Sequence, residues 1–235
     1  MVDSRSEILS YFTNRIQVAK EQQLTELDLS VPWNTHDHDQ LEHIPEAVFE
    51  LTQLEKLNLN SNGIKTIPES ITKLTNLTSL SLSFNGIKTI PESITKLTNL
   101  VSLDLSFNEI TDVPESISKL INLTSLDLRD SEIEIIPESI SKLTNLTHLN
   151  FSRNGITAIP ESIIRLTNLT SLNLSGNRIG SISIYQTLIK LTNLTSLNLS
   201  RNEITTIPES ISKLINLTAL DLSCLLYTSP SPRDS

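Results

Sequence analysis

Leucine and isoleucine recur along most of the chain at fixed distances from one another, with polar residues between them. In the segment 77–83, for example, Leu80 and Leu82 alternate with serines. An alternation with a period of two predicts a short strand that buries one face and leaves the other in water. The pattern repeats every 23 residues from Leu54 to Leu169 and returns at Leu194 after a spacing of 25. We therefore expect one packing unit used many times rather than an irregular core.

Each unit reads L-x-x-L-x-L-x-x-N-x-I-x-x-I-P-E-S-I-x-x-L-x-N. This pattern resembles the leucine-rich-repeat family, in its intracellular 23-residue I-P-x-x-I class of the Ras-scaffold kind. The resemblance implies an α/β solenoid, a right-handed superhelix with a concave parallel sheet and convex short helical or 3-10 turns. It covers residues 24–223, about nine units, of which the first carries a loop insertion at residues 31–40 and the last is expected to be truncated.

The polar positions of the unit have physical reasons. An asparagine follows each strand where the chain turns, and its amide can satisfy backbone groups that would otherwise be buried unpaired. Proline is tolerated in a first helical turn, and Glu92 four residues before Lys96 is the order that favours an ion pair on a helix. We expect the asparagines to form a ladder, which Ser131 interrupts and locally weakens. The ladder residues are Asn62, Asn85, Asn108, Asn154, Asn177 and Asn202.

The two ends of the chain differ from the repeats. Residues 1–23 are predicted to form an amino-terminal capping helix, because Phe12, Ile16 and other apolar residues stand near helical spacing without Pro or Gly. The run from Leu24 to Leu29 that follows resembles the start of bacterial leucine-rich-repeat proteins whose repeats precede a Roco-type GTPase. Residues 224–235 share nothing with the repeat and read as a non-native or adaptor-derived tail. The last strand then leaves one edge of the sheet open, and we expect oligomers to form only through that edge.

Charge and cysteine content narrow the classes of partner. The 27 acidic and 18 basic residues give a net charge of −9, which disfavours nucleic acid and anionic lipid surfaces. No apolar run has the length of a membrane span, so we expect no membrane partner. The single cysteine, Cys224, cannot form an internal disulfide, which favours the cytoplasm. Asn-Leu-Thr recurs with the repeat and matches a glycosylation signal, which we interpret as a by-product of the repeat.

Few residues are candidates for catalysis or for binding a metal. The five glycines form neither a phosphate-binding loop nor a nucleophile elbow, so we predict a non-enzyme without a cofactor. The loop insertion and the residues after it contain His36, His38 and His43, and these could ligate a metal. The alternative is a polar surface loop, which we favour because no defined metal motif matches.

The water-facing strand positions are mostly Ser, Asn, Asp and Thr, and a few residues depart from this background. Aromatic residues and arginine carry most of the binding energy at protein interfaces, so these positions predict a partner-binding concave face. The candidate residues are Phe84, Phe107, Asp104, Asp127, Arg129, His148 and Arg153. The alternative is an aromatic pair that covers the sheet, with scattered solubilising charge.

The function predicted is a scaffold that binds a protein partner in intracellular signalling. The alternative is the sensor fragment of a multidomain signalling enzyme, of the Roco-type GTPase kind or similar, with its catalytic domain outside these residues.

Overall fold

Within the residues that the structure describes, the chain forms one open sheet of nine parallel strands that follow each other in sequence order. The computed structural model describes residues 4–31, 40–180, 187–206 and 209–223. Leucines on neighbouring strands stand opposite each other, as Leu80, Leu103 and Leu126 do. The strands are β1 (Glu26–Asp28), β2 (Lys56–Asn58), β3 (Ser79–Ser81), β4 (Ser102–Asp104), β5 (Ser125–Asp127), β6 (His148–Asn150), β7 (Ser171–Asn173), β8 (Ser196–Asn198) and β9 (Ala219–Asp221).

Each strand from β1 to β8 is followed by a short 3-10 turn on the opposite side of the unit. In one turn the amide of Ile94 donates to the carbonyl of Pro91, and the amide of Leu97 donates to that of Ile94. Proline therefore stands where no amide hydrogen is needed. The turns are Glu46–Glu50, Glu69–Lys73, Glu92–Lys96, Glu115–Lys119, Glu138–Lys142, Glu161–Arg165, Leu188–Lys190 and Glu209–Lys213.

The 3-10 geometry changes which charges meet. The expected pairing of Glu92 with Lys96 is wrong, since no ion pair in the described ranges joins the Glu and Lys of one turn. A 3-10 helix has three residues per turn, so residues four apart do not share a face. Charges pair between neighbouring units instead, as Lys88 does with Glu109 at 3.3 Å.

The core is one continuous column of aliphatic side chains between the sheet and the turns. Leu80 of the strand, Leu82 just after the strand and Ile94 of the turn are fully buried, and their equivalents in other units contact them from both sides. A single unit buries too little apolar surface to offset its own conformational entropy, so each unit depends on its neighbours. The other face of the sheet, which we call the concave face, is left to solvent.

The predicted asparagine ladder is present. Nδ2 of Asn108 lies within 3.2 Å of the carbonyl oxygens of Leu82, Leu105 and Ser106, and its Oδ1 accepts the amide of Ile87 at 3.0 Å. Asn62, Asn85, Asn154, Asn177 and Asn202 make the same four contacts. The side-chain oxygen of Ser131 is buried and has no hydrogen-bond partner. The ladder thus breaks in the unit of β5.

A second asparagine ladder, which the sequence did not predict, runs along the exposed edge where the chain enters each strand. The Nδ2 of Asn99 donates to the carbonyl of Thr75 at 2.9 Å, a contact between neighbouring units. The same bond is made by Asn76, Asn122, Asn145, Asn168, Asn193 and Asn216. Most of these are the asparagines of the Asn-Leu-Thr triplets, so the triplets have a structural role in joining units.

An α-helix, α1 (Ser4–Glu21), precedes the first strand and buries Phe12, Ile16 and Ala19 against it. Lys20 at its last turn pairs with Glu50 at 2.7 Å. Within the described residues, no helix has both the length and the apolar character that a membrane crossing requires. The tail at 224–235 and most of the predicted insertion lie outside the described residues.

Candidate functional site

The two phenylalanines predicted for the concave face are in direct contact. The ring centroids of Phe84 and Phe107 are 4.0 Å apart and their planes differ by 9°, a parallel stack. Phe84 is 51% exposed, whereas Phe107 is half-buried between its neighbours. A contiguous exposed aromatic pair, unlike a single exposed apolar residue, is typical of an interaction surface.

Both phenylalanines also lie on unfavourable backbone. Their φ angles are 55° and 53°, in the left-handed region that costs a bulky residue about 1 kcal/mol or more. The equivalent position in the unit of β7 is Gly176, with φ of 66°, which adopts this conformation without that cost. Neither the core nor the backbone therefore accounts for phenylalanine at these two positions.

Arg129 extends the stack on its carboxyl-terminal side. The Cζ of its guanidinium lies 5.2 Å from the centroid of Phe107, within range of a cation–π interaction. Its Nε is 3.5 Å from Oδ2 of Asp127. The equivalent position in the neighbouring units is a buried serine, Ser106 or Ser152, so Arg129 is a local exception to the repeat. Phe84, Phe107 and Arg129 form one column, which we call the aromatic column.

Asp104 and Asp127, also predicted as binding residues, have a structural role. Oδ1 of Asp104 accepts the amide of Ser106 at 3.0 Å, and Oδ1 of Asp127 accepts that of Arg129 at the same distance. Asparagine makes this bond in the units of β6, β7 and β8. These carboxylates therefore help to end their strands, and Oδ1 of Asp104 also accepts the hydroxyl of Ser106 at 2.7 Å.

The remaining two predicted residues lie beyond the aromatic column. Nε of Arg153 is 2.8 Å from Oδ2 of Asp130, a residue that the sequence reasoning did not select. Asp130 stands between Phe107 and Arg153 in the left-handed register, and that shared register was the signal that could have found it. His148 is exposed at the start of β6 with Nδ1 2.9 Å from the hydroxyl of Thr147. Among the described contacts, none joins His148 to the other candidates.

The candidate metal ligands are not assembled in the described part of the chain. His36 and His38 lie outside the described residues, and His43 is exposed. Within those residues, no group of three His, Cys, Asp or Glu side chains is placed to hold a metal ion.

Burial raises the pKa of Asp127 above its ordinary value, and nearby Asp104 adds to the rise, although the amide and guanidinium of Arg129 lower it. The folded chain therefore holds this proton more tightly than the unfolded chain does. The contribution of Asp127 to stability falls as pH rises from the unfolded pKa of about 3.9 through the folded pKa.

We expect Asp127→Asn to be more stable relative to wild type at pH 7 than at pH 3. The measurement is the free energy of unfolding in urea across that range. Asp221→Asn is the matched control, because the amide of Ser223 lowers the pKa of Asp221 and reverses the sign. If the difference in the free energy of unfolding between Asp127→Asn and wild type did not change with pH, the raised pKa of Asp127 would be contradicted.

Two family models match the sequence. A model described as a leucine-rich repeat region matches residues 102–203, and one described as a leucine rich repeat matches 37–87 and 183–224. Together they cover most of the repeated part of the chain. No curated protein sequence matches.

Several solved structures are similar over most of this chain. A leucine-rich-repeat protein of Leptospira interrogans is 32% identical with a TM-score of 0.82, over 91% of this chain and 52% of its own. The ectodomain of the Arabidopsis thaliana receptor kinase GASSHO1/SCHENGEN3, in complex with Casparian strip integrity factor 2, is 28% identical with a TM-score of 0.76 over 91% and 29%. The plant peptide hormone receptor RGFR1, in complex with RGF2, is 35% identical with a TM-score of 0.69 over 77% and 30%. The chain thus spans about half the length of the first and under a third of the other two.

Proposed function

The chain belongs to the leucine-rich-repeat family, and on that basis we propose that it is a non-catalytic module that binds a protein partner on its concave face. Domains of this family generally mediate protein–protein interaction. The contact centres on the aromatic column of Phe84, Phe107 and Arg129, with the Asp130–Arg153 ion pair beside it. As part of this proposal we place the module in cytoplasmic signalling, which suits a repeated region, residues 24–223, that contains no cysteine and so no disulfide.

The observation that carries the proposal is the half-exposed phenylalanine stack on left-handed backbone. An exposed ring costs solvation free energy and these two rings add backbone strain, yet the fold gains little core packing from them. Burial of both rings by a partner would recover the apolar free energy, at about 25 cal/mol per Å² of surface covered. A rigid stacked pair also loses little conformational entropy on binding.

The surroundings of the stack suit a binding centre. The concave positions at the starts of β3, β4 and β5 are short polar residues, Ser79, Ser102 and Ser125, and all three are half-buried. Aromatic and arginine side chains at the middle of a surface, ringed by small polar groups, are typical of interface hot spots. The two similar plant receptors, whose structures contain RGF2 or Casparian strip integrity factor 2, support a protein or peptide partner for this chain.

The test compares a captured partner's affinity for wild type and for Phe84→Ala/Phe107→Ala. We expect the double variant to bind at least about tenfold more weakly, since hot-spot truncations cost more than about 1–2 kcal/mol. Calorimetry gives the dissociation constants, and circular dichroism checks that both proteins are folded.

The matched control is Ile121→Ala/Ile135→Ala, which removes two exposed apolar side chains, 56% and 73% exposed, that lie outside the concave face. Its affinity should equal that of wild type. Equal affinities for the phenylalanine variant and wild type, with both folded, would show that the site lies elsewhere.

A further inference from the structure

The aromatic column is closed at one end and open at the other. Phe107 is covered on one side by Phe84 and on the other by the guanidinium of Arg129. Phe84 has Phe107 on one side only, and the equivalent position in the preceding unit is Ser61, too small to cover a ring. Among the described ring contacts, none covers the face of Phe84 toward β2.

We propose that the partner places an arginine on this open face of Phe84. The inference rests on the proposed function and adds the chemistry of the group that is recognised. The chain itself shows what such a ring stack accepts, because Arg129 occupies the opposite end of the column. A guanidinium is planar, stacks on aromatic faces and keeps its charge at any physiological pH.

The charge around the open end favours a cation over a neutral ring. Across the six units of β1 to β6, the concave positions carry five acidic residues and three basic ones. The acidic residues are Glu26, Asp28, Asp104, Asp127 and Asp130, and the basic ones are Lys56, Arg129 and Arg153. Lys56 is already paired with Glu26 at 2.7 Å. The net charge of the whole chain, −9, attracts the same kind of partner over a longer range.

Asp104 accepts the amide and the hydroxyl of Ser106 at Oδ1, but its other carboxylate oxygen, Oδ2, lacks a close donor. The hydroxyl of Ser81, in the same unit as Phe84, lies 2.8 Å from Oδ1 of Asn60 and 3.4 Å from Oδ2 of Asp104. A hydroxyl has one hydrogen, and the shorter contact takes it. Oδ2 of Asp104 is thus left with a distant donor, whereas Oδ2 of Asp127 has both Asn150 at 3.2 Å and Arg129 at 3.5 Å. Oδ2 of Asp104 therefore has no donor closer than 3.4 Å among the described contacts, and a guanidinium of the partner can donate to it.

There is room for such a side chain. A hollow of about 430 Å³ lies on the concave face over β1 to β3, lined by Asp28, Asn58 and Ser81 among others. Arg15, which also lines it, donates to the hydroxyl of Tyr11. Ser79, in the same unit as Phe84, also lines the hollow, so the hollow adjoins that unit.

The experiment selects a displayed random linear peptide library on the full chain, and then measures a selected peptide and two of its derivatives. We expect arginine to be enriched at one position. Replacement of that arginine by citrulline, which has the same shape without the charge, should weaken binding about tenfold, as cation–π contacts and a charged hydrogen bond predict. Lysine should not restore the affinity, because it lacks the planar group.

Two protein variants locate the contact. With the Phe84→Leu protein, the arginine peptide and the citrulline peptide should bind with nearly equal affinity. Asp104→Asn should weaken the arginine peptide severalfold and leave the fold intact, since asparagine stands at the same position in the units of β6 to β8. Arg178→Ala, outside the concave face, should change nothing.

The outcomes separate the two proposals. Peptides that need Phe84 but carry no arginine, or that bind equally well with citrulline, would overturn the arginine assignment and leave the concave site in place. Peptides that bind Phe84→Leu and Phe84→Ala/Phe107→Ala as tightly as wild type would overturn the proposed function itself.

Discussion

Asn108→Ser is expected to lower the free energy of unfolding by about 3 kcal/mol, because it breaks the hydrogen bonds of a buried side chain that joins two units. Asn108 is buried and bonds three carbonyls and one amide. Serine is too short to reach these groups. Each net hydrogen bond contributes about 0.5–1.5 kcal/mol, and the amide of Ile87 would be left buried without a partner.

Urea unfolding measures this loss, and hydrogen exchange locates it. We expect faster exchange at the amide of Ile87 and in the units of β3 and β4, because stability in a solenoid is shared between neighbours. The matched control is Asn99→Ser in the exposed ladder, which removes one bond to Thr75 where water can replace it. A loss of similar size in the two variants would show that burial of the inner ladder is not what matters.

Ser131→Asn is expected to stabilise the protein by about 2 kcal/mol, because it completes the inner ladder. Asp130 has φ of 53°, the same as the residue before Asn108, so the backbone already has the conformation that the ladder uses. By analogy with Asn108, the new amide would bond the carbonyls of Leu105, Leu128 and Arg129 and accept the amide of Ile110. It would also replace a buried hydroxyl without a partner.

Thermal and urea unfolding of the variant test this gain. Ser131→Ala is the control, since it removes the unpaired hydroxyl without adding any bond, and it should stay within about 0.5 kcal/mol of wild type. Equal stabilities of the Asn and Ala variants would show that an asparagine at position 131 adds nothing to the stability of the ladder.

Much of the architecture was determined by the sequence alone. Strict repetition of leucine at Leu80, Leu103 and Leu126 leaves one register in which every unit buries its apolar face, and the structure has that register. The inner ladder was equally predictable, because a turn that follows a buried strand needs a side chain to satisfy its backbone. The phenylalanine stack followed from two aromatic residues in one register of adjacent units.

Other features depended on contacts between units, which a linear pattern does not show. The 3-10 form of the turn decided whether Glu92 and Lys96 meet. The distance between neighbouring units decided whether Asn99 bonds Thr75. Asp104 and Asp127 remain predicted binding residues, and the structure adds that each accepts a backbone amide at the end of its strand.

The sequence by itself thus determined the repeat, its buried face and the exposed aromatic pair, because these follow from local periodicity and the free energy of burial. The tertiary structure decided which charges pair, which polar atoms remain unsatisfied and which face of Phe84 is open. Those outcomes depend on the distances between atoms of different units, which only the folded stack of units sets.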